Sequence, residues 1–142
     1  MFQLVGLLLL VMTALVSAYA GGVSTIQLTD PSLASDSSRV IDLMAGEQIL
    51  VTTTAYRPPN PYYNDTEPLP FLSIIITRDG EGTTQSIAFQ SVSLKVNEQA
   101  AIRTSWTPPE PGIHYLIAFA ISELGENSII LSSPVQSIVT VV

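Results

Sequence analysis

The chain has 142 residues, the length of one domain, and 46% of them are hydrophobic, which is enough to build a core. Its 12 Asp and Glu outnumber five scattered Lys and Arg, for a net charge of −7. This balance argues against nucleic acid and anionic lipid headgroups as partners, because both need clustered cations. The absence of cysteine excludes disulfides, zinc–thiolate sites, iron–sulfur clusters and thiol nucleophiles.

The first twenty residues form an apolar segment without a charged side chain. Residues 4–16 have the character of a signal-peptide core, and Ala18 and Ala20 match the A-x-A pattern that signal peptidase cuts. We therefore expect residues 1–20 to be a signal peptide and residues 21–142 to be the mature domain. Because no Lys or Arg precedes the apolar core, and because about 20 apolar residues span a bilayer, a retained membrane anchor is the alternative.

The rest of the chain alternates short runs of Val, Ile, Thr and aromatic residues with clusters of Pro, Gly, Asn, Asp and Ser, a pattern typical of strands. The predicted strands are residues 23–28, 38–43, 48–56, 71–78, 84–89 with a continuation after a kink at 92–96, 100–106, 113–122 and 134–142. Seven to nine strands in about 120 residues predict an all-β, immunoglobulin-like sandwich. An N-terminal hydrophobic helix, as signal peptide or anchor, would precede it.

The penultimate predicted strand begins with a pattern that is typical of such sandwiches. Gly112 and Tyr115 have the spacing of a tyrosine corner, in which the hydroxyl bonds back to the preceding connection. Alternation then places Tyr115, Ile117 and Phe119 on one face, which we expect to form part of the core. Trp106 is predicted to be a core or corner residue.

A wider pattern joins these residues. Trp106-Thr107-Pro108, then Gly112, Tyr115 and Phe119, then Leu131-Ser132 and the closing Val139-Thr140-Val141 can be written W-x-P, G-x-x-Y-x-x-x-F, L-S and V-T-V. This pattern resembles an Ig-like domain of secreted and surface proteins of ammonia-oxidising archaea, over roughly residues 42–142. The resemblance implies an Ig-like fold and a location outside the cell or at its surface. It implies no catalytic residue.

Few residues have side chains suited to catalysis or metal binding. His114 is the only histidine, so a transition-metal site would lack further imidazoles. A hydrolytic triad would need a nucleophile and an acid to converge on it, and a structural or surface role is expected instead. No carboxylate run has the spacing of an EF-hand loop, which leaves a calcium site shared between loops as the alternative. No catalytic residue, metal site or cofactor is predicted.

The loop at residues 57–70 is the candidate partner-binding element. It holds five of the ten prolines, and we expect Arg57, Tyr62 and Tyr63 to contact a partner. A stiff connection that covers the end of the sandwich is the alternative. Asn64 begins an N-x-T sequon and is a candidate glycosylation site in an exported protein.

These observations predict an exported, non-catalytic Ig-like binding or cell-surface module. The expected partner is a protein or a glycan at the cell surface, or a second copy of the chain. One alternative is a structural subunit of a surface polymer, assembled through the apolar closing strand. The other is an accessory subunit of an envelope complex, held at the outer face of the cytoplasmic membrane by residues 1–20. Membrane contact is expected only through that segment.

Overall fold

The computed structural model describes residues 25–33, 43–60 and 66–142, which form eight β-strands. In chain order these are β1 (Gln27–Leu28), β2 (Ser32–Leu33), β3 (Ile49–Tyr56), β4 (Leu69–Asp79), β5 (Thr84–Leu94), β6 (Gln99–Trp106), β7 (Gly112–Ile121) and β8 (Val135–Val141). The predicted all-β sandwich is therefore confirmed for the described part of the chain. The short strand β2 was not predicted, and the strand expected at residues 38–43 lies outside the described residues except for Leu43.

The strands form two antiparallel sheets. In the first sheet, β1 and β2 pair with one edge of β3, and β6 pairs with its other edge. In the second sheet the order is β5-β4-β7-β8. The segments β1 and β2 thus share one edge of the first sheet, and they are interrupted around Pro31, which has no N–H to give to a ladder.

The hairpin between β4 and β5 is fixed by Asp79. Its carboxylate accepts the main-chain N–H groups of Glu81 at 2.9 Å and Thr83 at 2.8 Å. Gly82 supplies a φ of 88°, which residues with a side chain rarely adopt. Beyond this turn β5 runs without interruption from Thr84 to Leu94, so the kink expected between residues 89 and 92 is wrong.

Apolar side chains from both sheets form the core between them. Val51 and Ala55 of β3 are 0% exposed. The other buried members are Ile26, Leu43, Phe71, Ile75, Leu94, Ile102, Trp106, Leu116, Ala118, Ala120, Leu131 and Val141. The packing of this core stabilises the sandwich without a disulfide, because the chain has no cysteine.

Leu131 and Ser132, which precede β8, connect the N-terminal edge strand to the second sheet. The Leu131 N–H donates to the Ala120 carbonyl at 3.0 Å, and the Leu131 carbonyl accepts the Ile26 N–H at 2.8 Å. The buried Ser132 hydroxyl accepts the Ala120 N–H at 2.6 Å. Both main-chain groups of Ala120 are therefore satisfied where the regular β7–β8 ladder has ended.

The outer edge of β8 is partly occupied by other parts of the chain. Leu43 forms a parallel bridge with Val141, and the Val142 N–H donates to the Leu43 carbonyl at 2.7 Å. The Ser137 hydroxyl donates to the Pro31 carbonyl at 2.5 Å. Less of this edge is open to a neighbouring chain than the apolar closing strand suggests.

Several predicted features lie outside the described residues. They are the segment 1–20 with Ala18 and Ala20, the loop tyrosines Tyr62 and Tyr63, and the sequon residue Asn64. Where the chain is described, no part of it forms a helix of the length and apolar character that crossing a membrane requires.

Candidate functional site

The outer face of the second sheet carries an apolar cluster of its own. Tyr115, Ile117 and Phe119 of β7 pack there with Ile74 and Ile76 of β4. Ile117 and Phe119 are buried, as predicted for core residues, but they lie in this outer cluster and not between the two sheets. The side of β7 that faces this core is formed by the alternate residues His114, Leu116, Ala118 and Ala120.

The space inside the sandwich explains this orientation. The first sheet contributes the bulky side chains of Trp106 and Ile102, which are 3% and 2% exposed. Across from them β7 presents the small residues Ala118 and Ala120, both 0% exposed. Turning Phe119 inward in their place would overpack a core that is already dense.

Cross-strand register arranges the outer cluster in rows. Ile74 lies between Phe89 of β5 on one side and Phe119 of β7 on the other. The neighbouring row repeats this arrangement with an isoleucine on each of the three strands. Pairs of aromatic and β-branched residues across antiparallel strands each stabilise a sheet by roughly 0.2–1 kcal/mol.

The centre of the outer face is closed to solvent. Ile74, Phe119 and Ile121 are 0% exposed and Ile76 is 1% exposed. Every described residue packed in this cluster belongs to β4, β5 or β7, apart from Ile130, which bridges to Ile121. No second layer from the described part of the chain lies over it, although such a face normally carries polar residues when it meets water.

The apolar surface reaches solvent at the hairpin end of the sheet. Ile138 of β8 pairs with Tyr115 and is 61% exposed, and Ile113 is 51% exposed. A groove of about 340 Å³ begins here, lined by Tyr115, Ile117, Arg78, Gln136 and the hairpin residues Gly80, Glu81 and Gly82.

His114 lies on the opposite, inner face of the sheet and is 1% exposed. Its Nε2 donates to the Glu110 carbonyl at 2.8 Å, since a carbonyl oxygen only accepts. The Gln85 side chain lies 2.9 Å from Nδ1, and the Gln85 Nε2 has no other partner within the described structure. A flip of that amide lets Nε2 donate to Nδ1 and satisfies both groups. With both ring nitrogens engaged, His114 is not placed to act as a base.

Gly112 and Tyr115 do not form the predicted tyrosine corner. Tyr115 lies on the outer face, half-buried, and its hydroxyl makes no hydrogen bond to the preceding connection among the described residues. Trp106 lies in the core, where it contacts His114 with ring centroids 5.4 Å apart. The residues of the G-x-x-Y pattern therefore divide between the two faces of the sheet.

Arg57 is a structural residue rather than a partner contact. It is 6% exposed, and its Nη1 donates to the carbonyls of Glu67 and Leu94, both at 2.8 Å. Its main-chain N–H donates to the Glu98 carbonyl at 3.0 Å, and its own carbonyl accepts the Asn97 N–H at 2.8 Å. A buried guanidinium that holds the loop to the β5–β6 turn is not available to a partner, which corrects the predicted role.

The acidic residues of the described turns show no metal-binding arrangement. Within residues 25–33, 43–60 and 66–142 no three His, Asp or Glu side chains converge as a cation would require. Asp79 instead uses its carboxylate to hold its own hairpin.

The outer face was missed by the sequence analysis, but a signal for it exists. Residues 71–76 of β4 read FLSIII, and residues 115–121 of β7 read YLIAFAI. A strand with one face in water alternates apolar and polar residues, whereas near-continuous apolar runs indicate burial on both faces. These two neighbouring strands together predict an apolar layer outside the sandwich.

Known structures share this architecture at low sequence identity. The C-terminal domain of Wzt aligns with a TM-score of 0.61 and 11% identity, over 85% of this chain and 75% of that one. A CARDB domain from Pyrococcus furiosus, solved in complex with di-metal ions, aligns with a TM-score of 0.54 and 15% identity, over 83% of this chain and 86% of that one. The chain shares the two-sheet β-sandwich fold of these domains.

The same sandwich also occurs as part of larger enzymes. A β-glucosidase from Erythrobacter marinus aligns with a TM-score of 0.55 and 13% identity over 84% of this chain, which spans 16% of that enzyme. No protein-family model matches the sequence, and no curated protein matches it. Structural similarity at these sequence identities indicates a shared fold but does not indicate a shared activity.

Proposed function

We propose that this protein is an exported, non-catalytic Ig-like module of the cell surface, and that it contacts its partner through the outer face of the second sheet. The observation that carries the proposal is the apolar cluster on that face, with Phe119 at its centre and Ile113 and Ile138 exposed at its end. The partner is a protein with a complementary apolar surface.

Exposure of this face to water would be unfavourable. Burial of one Ile or Phe side chain stabilises by roughly 1.5–3 kcal/mol relative to exposure. Four fully buried residues of the face, Ile74, Ile76, Phe119 and Ile121, together represent a large fraction of the stability of a small domain. Beside them Ile113 and Ile138 are more than half exposed, and exposed apolar patches mark contact sites in soluble proteins.

Three further points support the proposed class. The one histidine has both ring nitrogens engaged in hydrogen bonds, so it is not placed to act as a general base. The segment 1–20 has the pattern of an export signal or anchor. The resemblance of the W-x-P and G-x-x-Y pattern to archaeal secreted and surface proteins suggests the same compartment.

Location is tested by the intact mass of the native protein from membranes and from the medium. A mass that begins at Gly21 and occurs in the medium supports a free exported domain, and surplus mass would be mapped to Asn64. A mass that retains residues 1–20 and occurs only with membranes supports the anchored alternative. A protein found only in the cytoplasm contradicts export altogether.

The contact surface is tested by placing a photo-cross-linking amino acid at Ile138 in the native host. The matched control is Leu50, which is 42% exposed on the first sheet. We expect a discrete adduct from position 138 that disappears when Ile113 is replaced by Lys, and no such adduct from position 50. Equal adducts at both positions, or none at 138, would contradict the proposed surface.

A further inference from the structure

We infer that two copies of the chain pair through the free edge of β5, antiparallel to each other about a two-fold axis that passes beside Phe89. The pairing joins the second sheets of the two copies into one continuous sheet. It goes beyond the proposed function and does not rest on it, because β5 lies at the opposite edge of the sheet from β8, which carries Ile138.

The first argument is that β5 is a long edge strand. Its 11 residues pair with β4 on one side, and no other described strand pairs with it. The free side of an edge strand presents main-chain N–H and C=O groups on which a strand of another chain can pair.

The pairing of the neighbouring strands shows which residues of β5 present these groups. Both main-chain groups of Ala120 are hydrogen-bonded on the side away from β4. Ser73 lies opposite Ala120, so its own groups point the other way, towards Gln90 of β5. Because the direction alternates along a strand, the main-chain groups of Phe89 and Ser91 point to the free side of β5.

The second argument is that the other described edges are less suited to pairing. The free edge of β6 carries Arg103, which is exposed near the middle of the strand. The edge of β8 is partly occupied by Leu43 and Pro31. Charged side chains and prolines keep natural edge strands from pairing with other chains. Residues Thr84–Leu94 of β5 contain neither.

The third argument is the charge at the two ends of β5, which favours a second copy as the occupant. The first charged residues beyond the strand are Glu81 on the hairpin side and Lys95 on the other side, and both are exposed. An antiparallel pair brings Glu81 of each copy towards Lys95 of the other. No like charges oppose each other along the paired strands, although each chain has a net charge of −7.

The fourth argument is the outer cluster, which favours one position of the axis. Phe89 is half-buried at the edge of β5, at the end of a row that runs through Ile74 to Phe119. An axis beside Phe89 places this side chain opposite its equivalent in the second copy and continues the row across both sheets. Aromatic pairs across antiparallel strands stabilise a sheet. The same register pairs Ile87 with Ser91 of the other copy.

The first measurement is sedimentation velocity of the protein isolated from its native host, over a wide range of concentrations. We expect a reversible dimer that dissociates on dilution, because one strand from each copy forms a small interface. A protein that stays monomeric over the whole range would overturn the inference.

The first variant is Ser91→Pro, which removes an N–H from the free side of β5. The ladder to β4 should stay intact, since proline is tolerated where the N–H does not belong to a ladder. We expect the association constant to fall at least tenfold. Ser91→Lys replaces this variant if fluorescence of Trp106, the only tryptophan, shows that it does not fold.

The matched control is Ser105→Pro, or Ser105→Lys, on the free edge of β6. The Thr54 carbonyl accepts the Thr29 N–H on the far side of β3, so β6 residues opposite Thr54 and Leu50 point their main-chain groups to the free side. Ser105 is one of these residues and is exposed. The control should leave the association constant within about twofold. A dimer that the control weakens, or that neither variant weakens, would contradict pairing through β5.

Hydrogen exchange measures the paired groups directly. In the dimer, the amides of Phe89 and Ser91 should exchange at least tenfold more slowly than those of Ala101 and Arg103, which point to the free side of β6. The difference should disappear when the dimer dissociates. Slow exchange that persists in the monomer would mean that another part of the same chain covers the edge, and would overturn the inference. None of these outcomes affects the proposed function, which the adduct at Ile138 tests.

Discussion

His114 and Trp106 meet edge to face inside the sandwich, with their ring centroids 5.4 Å apart and their planes at 66°. The contact joins β7 of the second sheet to the last residue of β6 in the first sheet. The polar edge of His114 points the other way, to the Glu110 carbonyl and to Gln85. The single histidine therefore packs between the two sheets at the end where the β6–β7 connection crosses from one sheet to the other.

Replacing His114 by Ala should destabilise the domain by about 2–4 kcal/mol. The change removes a buried ring from the core and leaves the Gln85 amide and the Glu110 carbonyl without their partner. Urea unfolding followed by Trp106 fluorescence measures the effect. Ile113→Ala, at a neighbouring exposed position, should change the free energy of unfolding by less than about 0.5 kcal/mol. Similar values for the two variants would contradict the structural role of His114.

Removing the hydroxyl of Ser132 should cost about 1–3 kcal/mol. In Ser132→Ala the buried Ala120 N–H loses its acceptor, because the regular β7–β8 ladder does not reach it. Thermal and urea unfolding would measure the loss, with Ser105→Ala on the exposed side of β6 as the control. Faster hydrogen exchange at the Ala120 amide should accompany it, and unchanged exchange would show that another group accepts this bond.

Arg57→Met should lower stability by about 2–3 kcal/mol without weakening partner binding. Methionine keeps much of the buried volume but cannot donate to the carbonyls of Glu67 and Leu94. Arg103→Met, at an exposed position of β6, is the matched control for loss of one positive charge. If Arg57→Met instead abolished cross-linking at Ile138 without changing stability, Arg57 would be a partner-binding residue, as the sequence predicts.

The direction of the β7 side chains is tested by Ala118→Leu and Ile117→Leu. Because Ala118 is 0% exposed and faces the core, three additional carbon atoms should cost about 1–3 kcal/mol through overpacking. Ile117→Leu keeps its volume on the outer face and should cost less than about 1.5 kcal/mol. If Ile117 faced the core as the sequence predicts, Ala118→Leu would point to the outer face and the order of the two costs would be reversed.

The sequence predicts most of the fold because strand and turn signals are local. Seven of the eight strands were expected within a few residues of their observed bounds, since β-branched and aromatic runs end at Gly, Pro, Asn and Asp. The hairpin at Asp79 and Gly82 follows from turn chemistry alone. The strand β2 has only two residues and depends on pairing with Thr52 and Val51, which lie far along the chain.

The candidate site was beyond the reach of the same reasoning. Alternation correctly groups Tyr115, Ile117 and Phe119 on one face of β7, but it does not say which face turns inward. That choice depends on the volume left by Trp106 and Ile102 from the other sheet. Likewise, the position of Arg57 at the start of a proline-rich loop suggests exposure, and only the meeting of that loop with Leu94 buries it.

What the sequence determined by itself is the all-β class, the order of strands and turns, the lack of thiol chemistry, and an apolar segment at residues 1–20. The tertiary structure alone decided which side of β4 and of β7 faces the other sheet and which side forms the outer cluster. It also decided that His114 and Arg57 are buried structural groups. The physical reason is that backbone preference is set by neighbours along the chain, whereas burial is set by which surfaces compete for the same volume in space.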